Sequence, residues 1–270
     1  MSAAATVPAV TQPRRRSNRT GSVTRALLPT AAMLVLIGLW WFATWLFKVE
    51  SFLVPSPPDV VSAFLDNPGY MLEQSVVTLV ETLEGFLVAA ALGIPIAMAI
   101  AGSKLLEQTI YPLLLAINAV PKVAIAPVLV VWMGFGQMPK VVMVVLLCIF
   151  PIVLSTVSGL RSTPAELVEL AESLNAGALR TFRKFRFPFA LPQIFVGLKT
   201  AVSLAVIGAV IAEFVGADAG LGYLIVQSGA SANTALAFAA MALLAIMSIG
   251  LFYLLAWLER RLLPWAEEYR

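Results

Sequence analysis

The segment Gly159–Pro188, GLRSTPAELVELAESLNAGALRTFRKFRFP, is a polar stretch between two long apolar parts of the chain. Thr163 is in position to cap a helix, with Pro164 at the first helical position and Glu166 where a capping-box partner belongs. Apolar residues then recur at helical spacing, namely Leu167, Leu170, Ala171 and Leu174. The pattern predicts an amphipathic helix that either docks a partner or lies as a solvated connector.

The charges of this segment are separated by sign. After Arg161, the acidic side chains come first and the basic ones last: Glu166, Glu169 and Glu172, then Arg180, Arg183, Lys184 and Arg186. Read as one helical run, this order suits the helix dipole, which favours anions at the start and cations at the end. It also gives the segment an acidic part and a basic part on its surface, which favours a docking role.

The composition of the whole chain indicates a membrane protein. Of the 270 residues 60% are hydrophobic and 12% are charged, whereas soluble domains carry about 25% charged residues. A water-soluble domain of this length cannot bury so much apolar surface. The chain has no His, and its single Cys148 lies in an apolar run. This excludes His-based catalysis and an intrachain disulfide.

Six stretches are long and apolar enough to be predicted as membrane spans, which need roughly 20 residues each. They are residues 26–47, 76–101, 110–135, 141–157, 191–212 and 235–257. The third is interrupted by Pro121, Lys122 and Pro127. The predicted fold class is therefore all-α, a polytopic protein of six transmembrane helices whose polar segment lies between spans four and five.

The positions of Lys and Arg orient these spans, because such residues are enriched in cytoplasmic loops. Most of them precede span one, lie in the polar segment or follow span six, and only Lys48 and Lys140 fall on the opposite side. Both termini and the polar segment are predicted to be cytoplasmic, in the plasma membrane of a prokaryote. The predicted divisions are a disordered basic tail (1–24), a membrane domain (26–258, core 75–258) containing the cytoplasmic loop (159–190), and a C-terminal tail (259–270). On the external side, residues 59–65 and 221–228 are predicted as short interfacial or re-entrant helices.

The sequence contains no motif for chemistry of its own. It has no G-x-x-x-x-G-K-[ST], no G-x-S-x-G, no H-E-x-x-H and no Cys cluster. We therefore predict neither an enzyme nor a metal site, and the helical bundle with a docking element fits a channel-like subunit that a partner drives.

Several segments of the chain resemble a known family. Glu169-Leu-Ala-Glu-Ser-Leu-Asn-Ala-Gly177, followed by Phe182-Arg-Lys-Phe-Arg-Phe-Pro188, is similar to the "EAA" coupling loop of ABC importer permeases. Further segments resemble the nitrate/sulfonate/taurine-type members, in the same order along the chain: Leu53–Pro57, Val120–Pro127, Trp132–Lys140, Ala212–Gly216 and Gly220–Leu224. The resemblance covers nearly everything from Ala26 to Trp257.

The resemblance implies the type I ABC importer permease fold and a set of partners. These are an ABC ATPase that binds ATP and Mg²⁺, a periplasmic or lipid-anchored solute-binding protein, a second permease copy and the membrane lipids. No cofactor is expected in this chain, and no nucleic acid. The implied ATPase-docking residues are Glu166, Glu169, Leu170, Ala171, Leu174, Asn175 and Gly177.

Two positions depart from the family pattern. Leu170 replaces the middle Ala of Glu-Ala-Ala, and Asn175 stands at the position of the motif's glycine. That glycine is expected to end one helix in a left-handed conformation, and Asn is the usual replacement there. Gly177 is expected to contribute to the same backbone turn.

Lys122 is the ionisable residue that stands out inside a span, which marks it as a candidate for function. It either lines the translocation path, pairs with Glu213 or reaches the interface, and Asn118 one turn away can share its face. The candidate path residues are thus Asn118, Lys122 and Glu213. The implied solute is small, either a sulfonate, nitrate or taurine-like anion or an aromatic or vitamin-precursor compound. The alternative is a non-transporting scaffold that docks a cytoplasmic partner through residues 159–190.

Overall fold

The computed structural model describes residues 21–265, without the side chains of residues 21–27, Pro29 and Glu172. Within that range the regular elements are all helical. They are α1 Gly21–Leu46, α2 Pro57–Asp66, α3 Pro68–Gly102, α4 Lys104–Ala119, a 3-10 turn Lys122–Ile125, α5 Ala126–Met133, α6 Gln137–Arg161, α7 Ala165–Ser173, α8 Ala178–Thr181, a π-helical turn Phe182–Arg186, α9 Phe187–Gly216, α10 Leu221–Ala230 and α11 Thr234–Leu262. The all-α prediction is confirmed.

The chain divides into two compact units, one ending at Val49 and the other beginning at Glu50. The first unit holds α1, which covers most of the first predicted span. Because α1 begins at Gly21, the end of the tail predicted as disordered is helical instead. The rest of that tail, residues 1–20, lies outside the described residues.

Four helices are long and apolar enough to cross a membrane within the described range: α3, α6, the continuous helix Ala178–Gly216 and α11. The third predicted span is broken, since α4 and the segment Lys122–Met133 meet at a bend of 79°. Counting this pair as one span gives five. The predicted six is reached only if the shorter apolar stretch Thr30–Leu46 of α1 also crosses.

The core of the second unit is a helix packed between two others. α6 contacts both α3 and α9, and its buried Val144, Cys148 and Ile152 share one apolar cluster with residues of both neighbours. Glycines allow these close approaches, because a Cβ added at Gly93 would lie 2.9 Å from Ile152 Cγ2 and one at Gly208 would lie 3.0 Å from Val144 Cα. The order of such contacts shows that α3 runs parallel to α6 and that α9 runs antiparallel to it.

The bundle therefore has two ends, named here by the short helices they carry. The α7 end holds the ends of α3, α6 and α11. The α10 end holds α2, α10 and the start of α6. α2 and α10 confirm the two short helices predicted around residues 59–65 and 221–228. α11 continues to Leu262, so the start of the predicted C-terminal tail is helical; residues 266–270 of that tail lie outside the described range.

The polar segment between α6 and α9 contains a helix, as predicted, but its first turn differs. α7 begins at Ala165, and the Thr163 hydroxyl is buried without a hydrogen-bond partner. The predicted cap at Thr163 is therefore wrong.

The dipole interpretation of the same segment holds for Glu166 and does not hold for the basic residues. Glu166 lies in the first turn of α7, where a negative charge is favoured. The chain then breaks after Ser173, and a new helix starts at Ala178. Arg180 thus lies in the first turn of the new helix, where the dipole disfavours it, and the other three cations lie beyond that turn and far from the helix end that would favour them.

Candidate functional site

The loop around α7 presents acidic and apolar side chains at one end of the bundle. Glu166, Glu169, Leu170 and Leu174 are exposed, and Leu174 is 69% exposed although it is apolar. Ala171 is fully buried, so its side chain faces the protein itself. Of the predicted docking residues, two glutamates and two leucines are therefore exposed on α7 and the residue that follows it, whereas Ala171 packs against the protein itself.

The end of α7 has the backbone geometry predicted from the Asn. Asn175 adopts the left-handed conformation with φ 55°, and the Ala176 N–H donates to the Ala171 carbonyl at 2.9 Å. This bond is the 6→1 contact of a Schellman-type helix end. Gly177 has φ −61° and does not share the left-handed turn, so that part of the prediction is wrong. The turn that presents Leu174 depends on Asn175.

The broken span is the second candidate region. Lys122 Nζ donates to Asn118 Oδ1 at 2.5 Å, which confirms that these side chains share a face. Glu213, the alternative partner of Lys122, is instead bonded elsewhere in the fold. Around the break the surface is apolar and exposed, including Ile117, Val120 and Val123 (60% exposed). The break thus leaves irregular backbone beside a half-buried amide and amine.

Glu213 belongs to a buried polar network that holds the start of α10. Three consecutive backbone N–H groups are bound there by buried side chains: the Gly220 N–H donates to Gln74 Oε1 (2.6 Å), the Leu221 N–H to Thr78 Oγ1 (2.8 Å), and the Gly222 N–H to Glu213 Oε2. Thr78 Oγ1 also donates to Glu213 Oε1 at 2.7 Å. The helix start is therefore tied to both α3 and α9.

This network explains the glycines of the segment Gly220–Leu224. Gly220 has φ +113°, a conformation that side chains rarely adopt, and a Cβ at Gly220 would collide with the Glu213 carboxylate. Glu213 is only 1% exposed, and both of its oxygens accept hydrogen bonds. In this conformation it holds α10 in place and does not face an open path.

Ion pairs join further helices of the second unit. Lys140 on α6 and Glu81 on α3 form a buried pair at 2.5 Å, and Lys199 on α9 pairs with Glu259 on α11 at 2.7 Å. At the α7 end, Arg161 on α6 pairs with Glu107 on α4, and this pair is more exposed than the other two. None of these pairs was predicted from the sequence. An available signal was that Glu81 and Lys199 lie inside predicted spans, where a charge needs a partner.

Comparisons with known proteins match this architecture. Residues 91–267 match the family described as "Binding-protein-dependent transport system inner membrane component". The chain is 35% identical over 240 residues to the riboflavin transport system permease protein RibX of Chloroflexus aurantiacus, covering 88% of this chain and 89% of that protein. It is 33% identical over 245 residues to the formylaminopyrimidine transport permease protein ThiX of Halalkalibacterium halodurans, covering 90% and 98%.

A more distant relative and a solved structure agree with these matches. The putative aliphatic sulfonates transport permease protein SsuC of Bacillus subtilis is 30% identical over 253 residues, covering 93% of this chain and 90% of that protein. A chain in an inward-facing structure of the MetNI methionine ABC transporter superposes with a TM-score of 0.61 at 21% identity, covering 73% of this chain and 96% of that one. That likeness shows the fold. The chain therefore belongs to the family of binding-protein-dependent inner-membrane transport components, and it is an ABC importer permease subunit with the type I importer fold.

Proposed function

We propose that two copies of this chain enclose the path of a small solute through the membrane and that a separate ATPase subunit drives transport. The observation that carries this proposal is the broken span. In contact with lipid, irregular backbone is not tolerated, because each unpaired polar group costs several kcal/mol there. The break at Val120 and Pro121, with Lys122 and Asn118 beside it, therefore needs to line water or a second protein surface.

The orientation follows from the charges. With the α7 end in the cytoplasm, the cations Arg161, Arg180, Arg183, Lys184 and Arg186 all lie on the side where such residues are enriched. From the positions of Lys and Arg in the sequence, both termini are proposed to be cytoplasmic as well. The α10 end, with α2 and the start of α11, faces the solute-binding protein on the other side.

The α7 end is proposed to dock the ATPase. Glu166, Glu169, Leu170 and Leu174 form the exposed contact, while Asn175 sets the turn. Ala171 and Gly177 shape the loop from within. ATP and Mg²⁺ bind the partner subunit in this proposal, and closure of the ATPase pair moves the loop and with it the spans.

For the path itself we propose direct roles for Lys122 and Asn118 and an indirect role for Glu213. Lys122 keeps two N–H donors beyond its bond to Asn118, so it can bind an acceptor on a passing solute. Glu213 contributes by holding α10, which borders the path entrance in this arrangement.

For the solute we propose a small heterocyclic compound of the vitamin or vitamin-precursor type. The support is that RibX and ThiX, named for riboflavin and formylaminopyrimidine, are more similar to this chain than SsuC, which is named for aliphatic sulfonates. A binding-protein screen tests it: the binding protein that associates with this permease is titrated with riboflavin, with a formylaminopyrimidine and with taurine. Tight binding of taurine alone would reject the heterocycle.

The function is tested by purifying the tagged chain in mild detergent and identifying what co-elutes. We expect an ATPase at equal stoichiometry, and uptake of solute in vesicles that depends on ATP. Lys122→Ala is expected to lower uptake while the ATPase remains bound. Full uptake by Lys122→Ala would show that this residue has no role in the path. Co-elution of a partner that is not an ATPase would favour the scaffold alternative.

A further inference from the structure

The helix that follows α7 begins with four exposed cations. Arg180, Arg183, Lys184 and Arg186 form no ion pair with any described side chain. Elsewhere in the same unit, Lys140, Arg161 and Lys199 each have a carboxylate partner. The cations of residues 180–186 are thus the densest run of unpaired charge in the described chain.

Their closeness makes this charge unfavourable for the isolated subunit. All four lie within the first nine residues of the 39-residue helix Ala178–Gly216, and Arg180 lies in its first turn, where the dipole already presents positive charge. Like charges three and four positions apart also repel one another. Such a cluster is relieved when an acidic surface binds to it.

Three of the cations share one face and one cavity. Arg180, Arg183 and Lys184 have the spacing i, i+3, i+4, and together with residues 175 and 177–179 they line a pocket of about 830 Å³. This set is called the basic pocket below. It adjoins the end of α7 at Asn175, so a partner seated on α7 reaches it without moving along the bundle.

The length of the helix brings the start of the basic pocket out of the membrane, on the side of α7. The helix Ala178–Gly216 has 39 residues and is about 58 Å long, or about 50 Å along the membrane normal at a 30° tilt. The hydrocarbon core takes about 30 Å of this and the headgroup layers about 6 Å on each side. With Gly216 at the opposite surface, residues 178–180 extend about 5–7 Å beyond the headgroups, and residues 183 and 184 lie at the headgroup edge.

We propose that the basic pocket receives an acidic surface segment of the ATPase subunit, as a second contact of opposite sign beside the glutamates of α7. This proposal rests on the proposed function, because it requires that an ATPase docks at the α7 end. It predicts that the two contacts fix the orientation of the ATPase, since a partner rotated by half a turn would bring like charges together.

The test compares two charge reversals of equal size. Arg183→Glu/Lys184→Glu changes the basic pocket, and Arg260→Glu/Arg261→Glu changes exposed cations at the cytoplasmic end of α11. Each tagged variant is purified with its ATPase over a series of NaCl concentrations, and gel filtration confirms that the permease remains folded. We expect the pocket variant to retain about tenfold less ATPase than wild type at low salt, and the α11 variant to retain nearly all of it.

The outcomes separate this inference from the proposed function. If wild type retains no ATPase under any condition, both fail. If wild type and the two variants retain it equally at every salt concentration, only the basic pocket is rejected. Equal loss in both variants would mean a general charge effect and would also reject the pocket.

A photo-crosslinking residue at Leu179 identifies the occupant directly. Leu179 lines the basic pocket and is 71% exposed. We expect a crosslink to the ATPase in the assembled complex, and the crosslinked ATPase peptide should carry Asp or Glu. A crosslink to lipid alone would overturn the proposal, as would an ATPase peptide without acidic residues.

Discussion

Charged and polar side chains serve opposite purposes at the two ends of this permease. At the α10 end, Gln74, Thr78 and Glu213 are buried and bind one another or the three N–H groups that begin α10. At the α7 end, Glu169 and Arg183 are exposed and form no ion pair with any described side chain. Both regions are rich in polar groups, but the three buried side chains are satisfied within the chain and the two exposed ones form no ion pair there.

Burial and pairing thus distinguish the polar residues that stabilise the fold from those that are available to bind another protein. A buried polar group without its partner costs free energy in the folded subunit itself. An exposed charge costs the subunit little, and its effect appears when another protein binds. Substitutions at the α10 end should therefore lower stability, and those at the α7 end should lower association.

The largest effect on stability is expected for Lys140→Met. Removing Lys140 leaves Glu81 charged and unpaired in the bundle, which typically costs about 3–5 kcal/mol. We expect little folded protein in detergent and a clearly lower thermal midpoint. The double variant Lys140→Met/Glu81→Leu serves as the control, because it removes both charges and should regain most of the loss. A normal midpoint for Lys140→Met alone would contradict the assignment of this pair as structural.

A smaller effect is expected for Thr78→Val at the start of α10. The change removes the acceptor of the Leu221 N–H and the donor to Glu213, at about 1–3 kcal/mol. The backbone amides of residues 221–224 should exchange hydrogen faster, whereas exchange at α7 should not change. Thr78→Ser, which keeps the hydroxyl, is expected to restore slow exchange. Unchanged exchange in Thr78→Val would show that α10 is held by its apolar contacts instead.

Asn175→Val tests a residue that affects both the fold and the docking surface. A β-branched side chain is poorly tolerated at φ 55°, with a cost of roughly 1–2 kcal/mol. We expect a modest fall in thermal midpoint together with loss of ATPase, because the turn presents α7. Asn175→Gly accepts the same conformation and should retain the ATPase. If Asn175→Val keeps its ATPase, the left-handed turn is not needed for docking.

The smallest effect on stability, with a large one on assembly, is expected for Glu169→Arg. Exposed substitutions of this kind change stability by no more than about 0.5 kcal/mol. Gel filtration and the thermal midpoint should match wild type, while co-purified ATPase is lost. Glu73→Arg, at an exposed site near the α10 end, is the matched control and should keep the ATPase. Loss of fold in Glu169→Arg would break the proposed division between the two ends.

The long helices were predictable because apolar runs of span length have one economical explanation. Spans two, four, five and six each correspond to a helix, although α3 begins at Pro68 and extends well beyond the predicted start at residue 76. The polar ends of such helices do not register in a hydrophobicity pattern. The break of the third span was signalled by Pro121 and Pro127, but its 79° bend depends on packing that the sequence does not display.

At the candidate site, the local backbone geometry could be predicted from the sequence, whereas the pairing of side chains between helices could not. The left-handed turn at Asn175 follows from a backbone rule that concerns a single residue. The pairing of Glu81 with Lys140 joins residues 59 positions apart, and the contact of Glu213 with Thr78 joins residues 135 apart. Such contacts depend on which helices are neighbours, and one sequence without its fold does not supply that.

The π-helical turn at Phe182–Arg186 is a place where this subunit can gain or lose one residue without changing the direction of its cytoplasmic part. A π turn accommodates about one residue more than an α turn over nearly the same rotation, whereas one residue in a regular helix corresponds to about 100° of rotation. Deleting a single residue there would let the helix continue regularly toward Gly216 and leave everything before it in nearly the same orientation. Among proteins built on this plan, a one-residue gap at this turn would therefore be neutral for docking, and the same gap a few turns further along the helix would rotate the docking surface by more than a quarter circle.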